Sequence, residues 1–140
     1  MFHCKKLVSS IKIPFLVLLL SVISVQTTFA ARFFLEPEST DLSGSCDVTV
    51  RIMLDTEGQS AQGADAIINY NESEIEIVDQ NASMPGTQIR TGNIFNVYAG
   101  NKAENGQIYL TAFNMFDPYQ SGSEPGIYGI IVLRNKSGVS

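Results

Sequence analysis

The stretch Cys46-Asp47-Val48-Thr49-Val50-Arg51-Ile52-Met53-Leu54 decides the class of fold. Cys46, Val48, Val50, Ile52 and Leu54 fall on one side of an extended chain, and Asp47, Thr49 and Arg51 on the other. Strict period-two alternation is the mark of a strand with one face buried and one in water. Met53 interrupts the polar side near the strand's end. Further candidate strands lie outward from it at Arg32 to Glu36, Ala64 to Tyr70, Glu74 to Val78, Ile94 to Tyr98, Gln107 to Phe113 and Ile127 to Arg134. Pro37 ends the first of these, which suits a strand at a sheet edge. The separators are turn residues: Ser43-Gly44, Glu57-Gly58, Pro85-Gly86, Asn105-Gly106 and Pro125-Gly126. Asn105-Gly106 between two apolar runs is the strongest hairpin signal, because both residues accept the positive φ of a tight turn. Seven short strands with no crossover helix predict an all-β antiparallel sandwich of jelly-roll or Greek-key type in one domain.

The amino terminus predicts the compartment. Lys5, Lys6 and Lys12 precede an apolar run of thirteen residues, Ile13 to Val25. That length suits a secretory signal better than a spanning helix of about 20 residues. Thr28-Phe29-Ala30 presents small residues at −3 and −1, so cleavage is expected between Ala30 and Ala31. Residues 1–30 are thus read as a signal peptide and 31–140 as the domain. Contact with the membrane is expected only in transit, and the exported chain is expected outside the cell or on its surface.

Beyond Ala30 the chain keeps six Lys and Arg against fourteen Asp and Glu, a formal balance of −8. Nucleic acid is excluded as a partner, because a phosphate backbone demands clustered cations. The one histidine, His3, leaves with the signal, and Cys46 stays as a single cysteine, read as a small buried hydrophobe. Without His there is no Ser-His-Asp arrangement and no His metal site. A pair of carboxylates would suffice for a glycosidase. Glu74 and Glu76, however, fall on the solvated side of one strand. Asp41, Asp47, Asp55, Asp117 and Glu124 lie in or near loops, but no stretch has the spacing of an EF-hand. No catalysis, metal or cofactor is therefore expected.

Four stretches carry a family resemblance. Phe33-Phe34-Leu35-Glu36-Pro37 leads to Ser43-Gly44-Ser45-Cys46-Asp47-Val48-Thr49-Val50. The second runs Gly63-Ala64-Asp65-Ala66-Ile67-Ile68-Asn69-Tyr70-Asn71-Glu72-Ser73-Glu74-Ile75-Glu76-Ile77-Val78. Gln107 to Phe113 and Gly126 to Gly138 complete the set. In this order they resemble a cohesin domain, the assembly module of cellulosome scaffolds, whose sandwich is shared with carbohydrate-binding modules. Asn71-Glu72 stands where that family prefers Asp-Pro. Asn keeps the side-chain acceptor that caps a turn, while Glu loses the rigid first-turn proline. The resemblance implies at least one more strand after Ser137-Gly138, pairing with the first. Without it, Arg32 to Glu36 would be left as an open edge, so the sequence is expected to be a C-terminally incomplete fragment of a longer protein, or else a domain completed by a partner strand.

The resemblance also implies a function: an extracellular, non-catalytic module that binds a dockerin-like protein, or polysaccharide, in a surface system for polysaccharide use. A structural sandwich within a larger adhesion protein is the alternative. The family's contact Asp matches Asp65, and its contact aromatic matches Tyr98. A carbohydrate-binding module would instead use a planar row of aromatics, for which Tyr98, Tyr109, Phe113, Phe116, Tyr119 and Tyr128 are the candidates, with Phe113 and Phe116 equally suited to the core. Phe116-Asp117-Pro118-Tyr119 reads as a protruding loop whose Phe116 and Tyr119 are candidate contacts for protein or sugar. Asn-x-Ser at 71–73, 81–83 and 135–137 matches the glycosylation pattern, which is usually silent in the bacterial source that the signal and family suggest.

Overall fold

The computed structural model describes residues 30–42 and 47–136. The expected signal segment up to Phe29, Cys46 and the chain after Lys136 lie outside the described residues; Ala30 and Ala31, on either side of the expected cleavage point, are both exposed coil.

Eight strands form two antiparallel sheets and no helix occurs among the described residues. They are β1 (Arg32–Glu36), β2 (Val48–Asp55), β3 (Gly63–Asn69), β4 (Ile75–Ile77), β5 (Arg90–Thr91), β6 (Val97–Glu104), β7 (Gln107–Phe113) and β8 (Gly126–Asn135). One sheet has the order β1-β2-β8-β4, with β5 also on β8; the other has the order β3-β7-β6. The chain changes sheet after β2, after β3, after β5 and after β7. Long-range pairing of this kind joins the layers of a sandwich through a common core.

That core contains Ile52, Leu54, Ala66, Ile77, Ile89, Phe95, Ile108, Leu110, Ala112, Tyr128 and Ile131. Each fully buried Ile or Leu contributes about 1.5–3 kcal/mol relative to its exposure in water. Tyr128 is wholly enclosed at 0% exposure. Phe33, Phe95 and Tyr98 surround its ring at centroid distances of 5.0, 5.7 and 6.2 Å. The backbone comes close here too: a Cβ on Gly129 would lie 2.7 Å from Leu110 Cδ2, and one on Gly92 would collide with the carbonyl of Ile127. Glycine lets these layers meet.

Three details correct the sequence reading. The strand expected at Ile94 to Tyr98 runs instead from Val97 to Glu104, while Ile94 and Phe95 pack on the core from the preceding loop. Ala99-Gly100-Asn101-Lys102 has little strand propensity. The tight turn at Asn105 (φ 51°) and Gly106 (φ 71°) nevertheless zips it onto β7. Arg90–Thr91, not foreseen as a strand, pairs with Gly129 and Ile130. Met53, read as a break in the polar face, is buried; a register shift between Ile52 and Met53 turns the strand end.

The Asn71 turn has the expected chemistry. Asn71 Oδ1 accepts from the backbone N–H of Ser73 (3.1 Å) and from its hydroxyl (2.7 Å), and the Asn71 carbonyl accepts from Ile75 N–H. Asn81 repeats the device with Ser83.

Candidate binding face

The outward surface of the β3-β7-β6 sheet is where chemistry-bearing side chains gather. Register sets its rows. Gly63, Phe113 and Val97 are paired across it, then Asp65, Thr111 and Gly100, then Ile67, Tyr109 and Lys102, then Asn69, Gln107 and Glu104. On β7 the alternation is complete: Ile108, Leu110 and Ala112 are buried, whereas Tyr109, Thr111 and Phe113 are exposed. On β3, Asp65 and Ile67 are exposed and Ala66 is buried.

The face carries more apolar surface than solubility needs. Ile67 is 62% exposed, and Tyr109 and Phe113 are each 38% exposed. Gly100 adds no side chain to the Asp65–Thr111 row. Polar groups frame the stripe. Lys102 pairs with Glu104 at 2.5 Å, Gln107 Nε2 donates to Asn69 Oδ1 at 2.8 Å, and Tyr109 donates its hydroxyl to Gln107. Exposed apolar side chains set among polar groups on one face are a usual look of an interaction surface.

At the Phe113 end the chain leaves the sheet in a loop pinned at both feet. Asn114 donates its backbone N–H to Gln62 O (2.9 Å) and its side chain to Ile94 O (3.1 Å), and accepts from Asn96 N–H (2.8 Å). Tyr119 exchanges two backbone hydrogen bonds with Ala61, at 2.7 and 2.9 Å. Between these anchors Met115 is 64% exposed and Phe116 81% exposed. Fixed feet hold a largely exposed apolar tip.

The four residues singled out from sequence separate into two pairs. Asp65 and Phe116 are exposed, Asp65 in the sheet face and Phe116 at the loop tip. Tyr98 and Tyr119 turn inward. The Tyr98 hydroxyl donates to the Tyr128 carbonyl at 2.9 Å, and burial raises its phenol above the ordinary value. The Tyr119 ring packs on the core 6.1 Å from Phe95, close to Gly126, and burial raises its phenol as well. Tyr109 and Phe113, candidates for a sugar-stacking row, are both exposed on this face, whereas Ile67 and Met115 went unremarked as contacts. The signal of Ile67 was present, as an apolar residue on the polar side of an alternating strand, but it has meaning only once the face is known.

Two of the loop carboxylates hold the frame. Asp47 receives a two-pronged hydrogen bond from Arg134 at 2.7 and 2.9 Å. Asp55 accepts from Glu57 N–H, Ser121 and Arg32, and its pKa is lowered chiefly by the Glu57 N–H. Glu72, Glu74 and Glu76 are exposed. Among the described residues no three His, Cys, Asp or Glu side chains are grouped to hold a metal ion. No helix among them is long and apolar enough to cross a membrane.

Comparison of the chain with protein-family models, with curated proteins and with solved structures found no match.

Proposed function

We propose that this chain is an exported, non-catalytic binding module that docks a protein partner on the outer face of β3, β7 and β6. The supporting observation is the exposed stripe of Ile67, Tyr109 and Phe113, extended by the Met115–Phe116 loop. Burying such a strip against a partner is favourable at roughly 25 cal/mol per Å² of apolar area. Asp65, in the row between Phe113 and the Ile67–Tyr109 pair, supplies a charge that fixes orientation more than affinity. Aliphatic Ile67 and Met115 suit a protein surface better than a sugar ring, which stacks on flat aromatics. The cohesin-like order of motifs points to the same use: assembly at the cell surface through a dockerin-type partner, in a system that handles polysaccharide.

The test is retention of candidate partners by the immobilised chain. Dockerin-bearing proteins and a panel of insoluble polysaccharides are offered to the wild type, to Ile67→Asp and to Phe113→Ser. The expected result is a protein retained by wild type and weakened about tenfold or more by either variant, at unchanged melting temperature. Retention of polysaccharide alone replaces the protein partner with a sugar. Failure to retain either class overturns the proposal and leaves the structural sandwich of a larger surface protein.

A further inference from the structure

Asn-x-Ser occurs at Asn71, Asn81 and Asn135, and along the chain the three look alike. In the fold they differ. Asn135 has its amide engaged, since Nδ2 donates to the Leu42 carbonyl at 3.0 Å. Asn71 sits in the short turn between β3 and β4, which is braced by other elements. Tyr70 N–H donates to Gly106 O, Lys136 N–H donates to Glu74 O, and the Lys136 ammonium reaches Glu72 O. Asn81 belongs instead to the long loop 78–89 that joins β4 to β5.

That loop is closed at its base and open at its tip. Gln80 N–H donates to Gln88 O and Gln88 N–H to Asp79 Oδ1, each at 2.9 Å. Thr87 O accepts from Ala103 N–H at 2.8 Å, which fastens the returning arm to β6. Between the two arms Ala82, Ser83, Met84, Pro85 and Gly86 are all exposed. Within this tip Asn81 Oδ1 accepts the Ser83 hydroxyl at 2.6 Å and the Ser83 N–H at 3.3 Å. An Asn amide and a hydroxyl two residues on define the glycan acceptor pattern, and here they stand side by side. Asn81 Nδ2, the atom that such a reaction modifies, donates to no group among the described residues.

Charge separates the three sites further. Asp79 stands two places ahead of Asn81, whereas Asn69 and Leu133 hold that place before Asn71 and Asn135. Bacterial transferases that leave plain Asn-x-Ser silent take the form with an acid at that place. Asp79 is exposed, and the hydrogen bonds of its loop fall on Oδ1. Oδ2 is left to meet a cationic group of a visiting enzyme.

We propose that Asn81 is an acceptor for N-linked oligosaccharide, added when the chain is exported. The donor is an oligosaccharide carried on a lipid pyrophosphate. Asn81 Nδ2 bonds to C1 of the first sugar as the C1–O bond to the pyrophosphate breaks. The lipid pyrophosphate leaves, and one amide proton passes to a base of the transferase. The site rests on the proposed export, and the test keeps the two apart.

The full chain is produced in a bacterium supplied with such a transferase and its lipid-linked donor. It is placed behind its own leader and, separately, behind a leader of established export. Peptide mass spectrometry then reads occupancy at each Asn. Glycan is expected on Asn81 and not on Asn71 or Asn135. Asn81→Gln and Ser83→Ala are expected to lose it, and Ser83→Thr to keep it. Asp79→Asn keeps an oxygen for the loop and is expected to lower occupancy about tenfold or more, whereas Asp79→Glu preserves it. Melting of each variant made without the transferase separates loss of the acceptor from loss of the fold. Glycan found only behind the second leader upholds the acceptor site and overturns export through residues 1–30. An unmodified Asn81 behind both leaders overturns the proposal. So does equal occupancy of Asn71 or Asn135, or glycan indifferent to both Asp79 and Ser83.

Discussion

Tyr128 of β8 donates its hydroxyl across the sandwich to the backbone carbonyl of Leu110 in β7, 2.7 Å away. The carbonyl of Ala64 on β3 stands 2.6 Å from the same oxygen, so one phenol proton is shared between two strands of the opposite sheet. The Tyr128 carbonyl in turn accepts the Tyr98 hydroxyl and the N–H of Gly92. A single buried side chain thus ties β8 to β3 and β7, and its backbone ties in the start of β6 and the segment after β5.

Tyr128→Phe keeps the ring and removes this link. The expected cost is about 1–3 kcal/mol, since a buried hydrogen bond is lost without opening a cavity. A drop in urea midpoint at constant slope would report it. An unchanged midpoint would mean that the two carbonyls are served by the ladder alone.

Alkaline pH should unfold the domain through the same group. Burial is the largest cause raising Tyr128, Tyr98, Tyr119 and Tyr70 above the usual phenol value of 10.0. In the unfolded chain these phenols ionise near 10, whereas in the fold they keep their protons. Stability is therefore complete below about pH 10 and falls as pH climbs from there toward the raised values. Urea midpoints taken at intervals from about pH 8 to pH 11 should hold and then decline, with a shallower decline in Tyr128→Phe. A flat profile would contradict the burial of these hydroxyls.

On the acid side Asp47, Asp55 and Asp79 are all held below the usual value, and Asp79 is the one that closes a loop through backbone N–H groups alone. Its Oδ1 accepts from Gln88 N–H at 2.9 Å and from Asn81 N–H at 3.1 Å, closing the long loop between β4 and β5. The Gln88 N–H is the largest cause that holds its pKa below 3.8, followed by the Asn81 N–H. A lowered folded value contributes stability that is present above the unfolded pKa and is lost as pH falls through the folded one. Asp79→Asn should therefore be less stable than wild type near neutrality, and its midpoint should vary less than wild type between about pH 5 and pH 2. Equal acid sensitivity of the two proteins would show that this carboxylate does not link folding to pH.

Much of the candidate face could be found along the chain but not assembled from it. Asp65 and Phe116 were recognisable because a polar residue in an alternating strand and an aromatic beside Asp-Pro both point to water. Tyr98 and Tyr119 looked the same in sequence, yet both are anchored inward, by Tyr128 and by Gly126 and Phe95 respectively. Which way an aromatic at a strand end turns depends on the opposing sheet. Local alternation does not carry that information.

The sequence by itself determined the class of fold, six of the eight strands, the Asn105-Gly106 hairpin and the Asn71 turn. These are local matters: side-chain alternation every two residues, and backbone angles that Asn and Gly accept and other residues resist. Only the tertiary structure decided that Ala99 to Glu104 joins a sheet, that Arg90–Thr91 pairs with β8, and that Met53 is buried. It also decided that Ile67, Tyr109 and Phe113 share one exposed face. Those outcomes follow from register and layer contacts that local alternation does not encode, where packing outweighs intrinsic propensity.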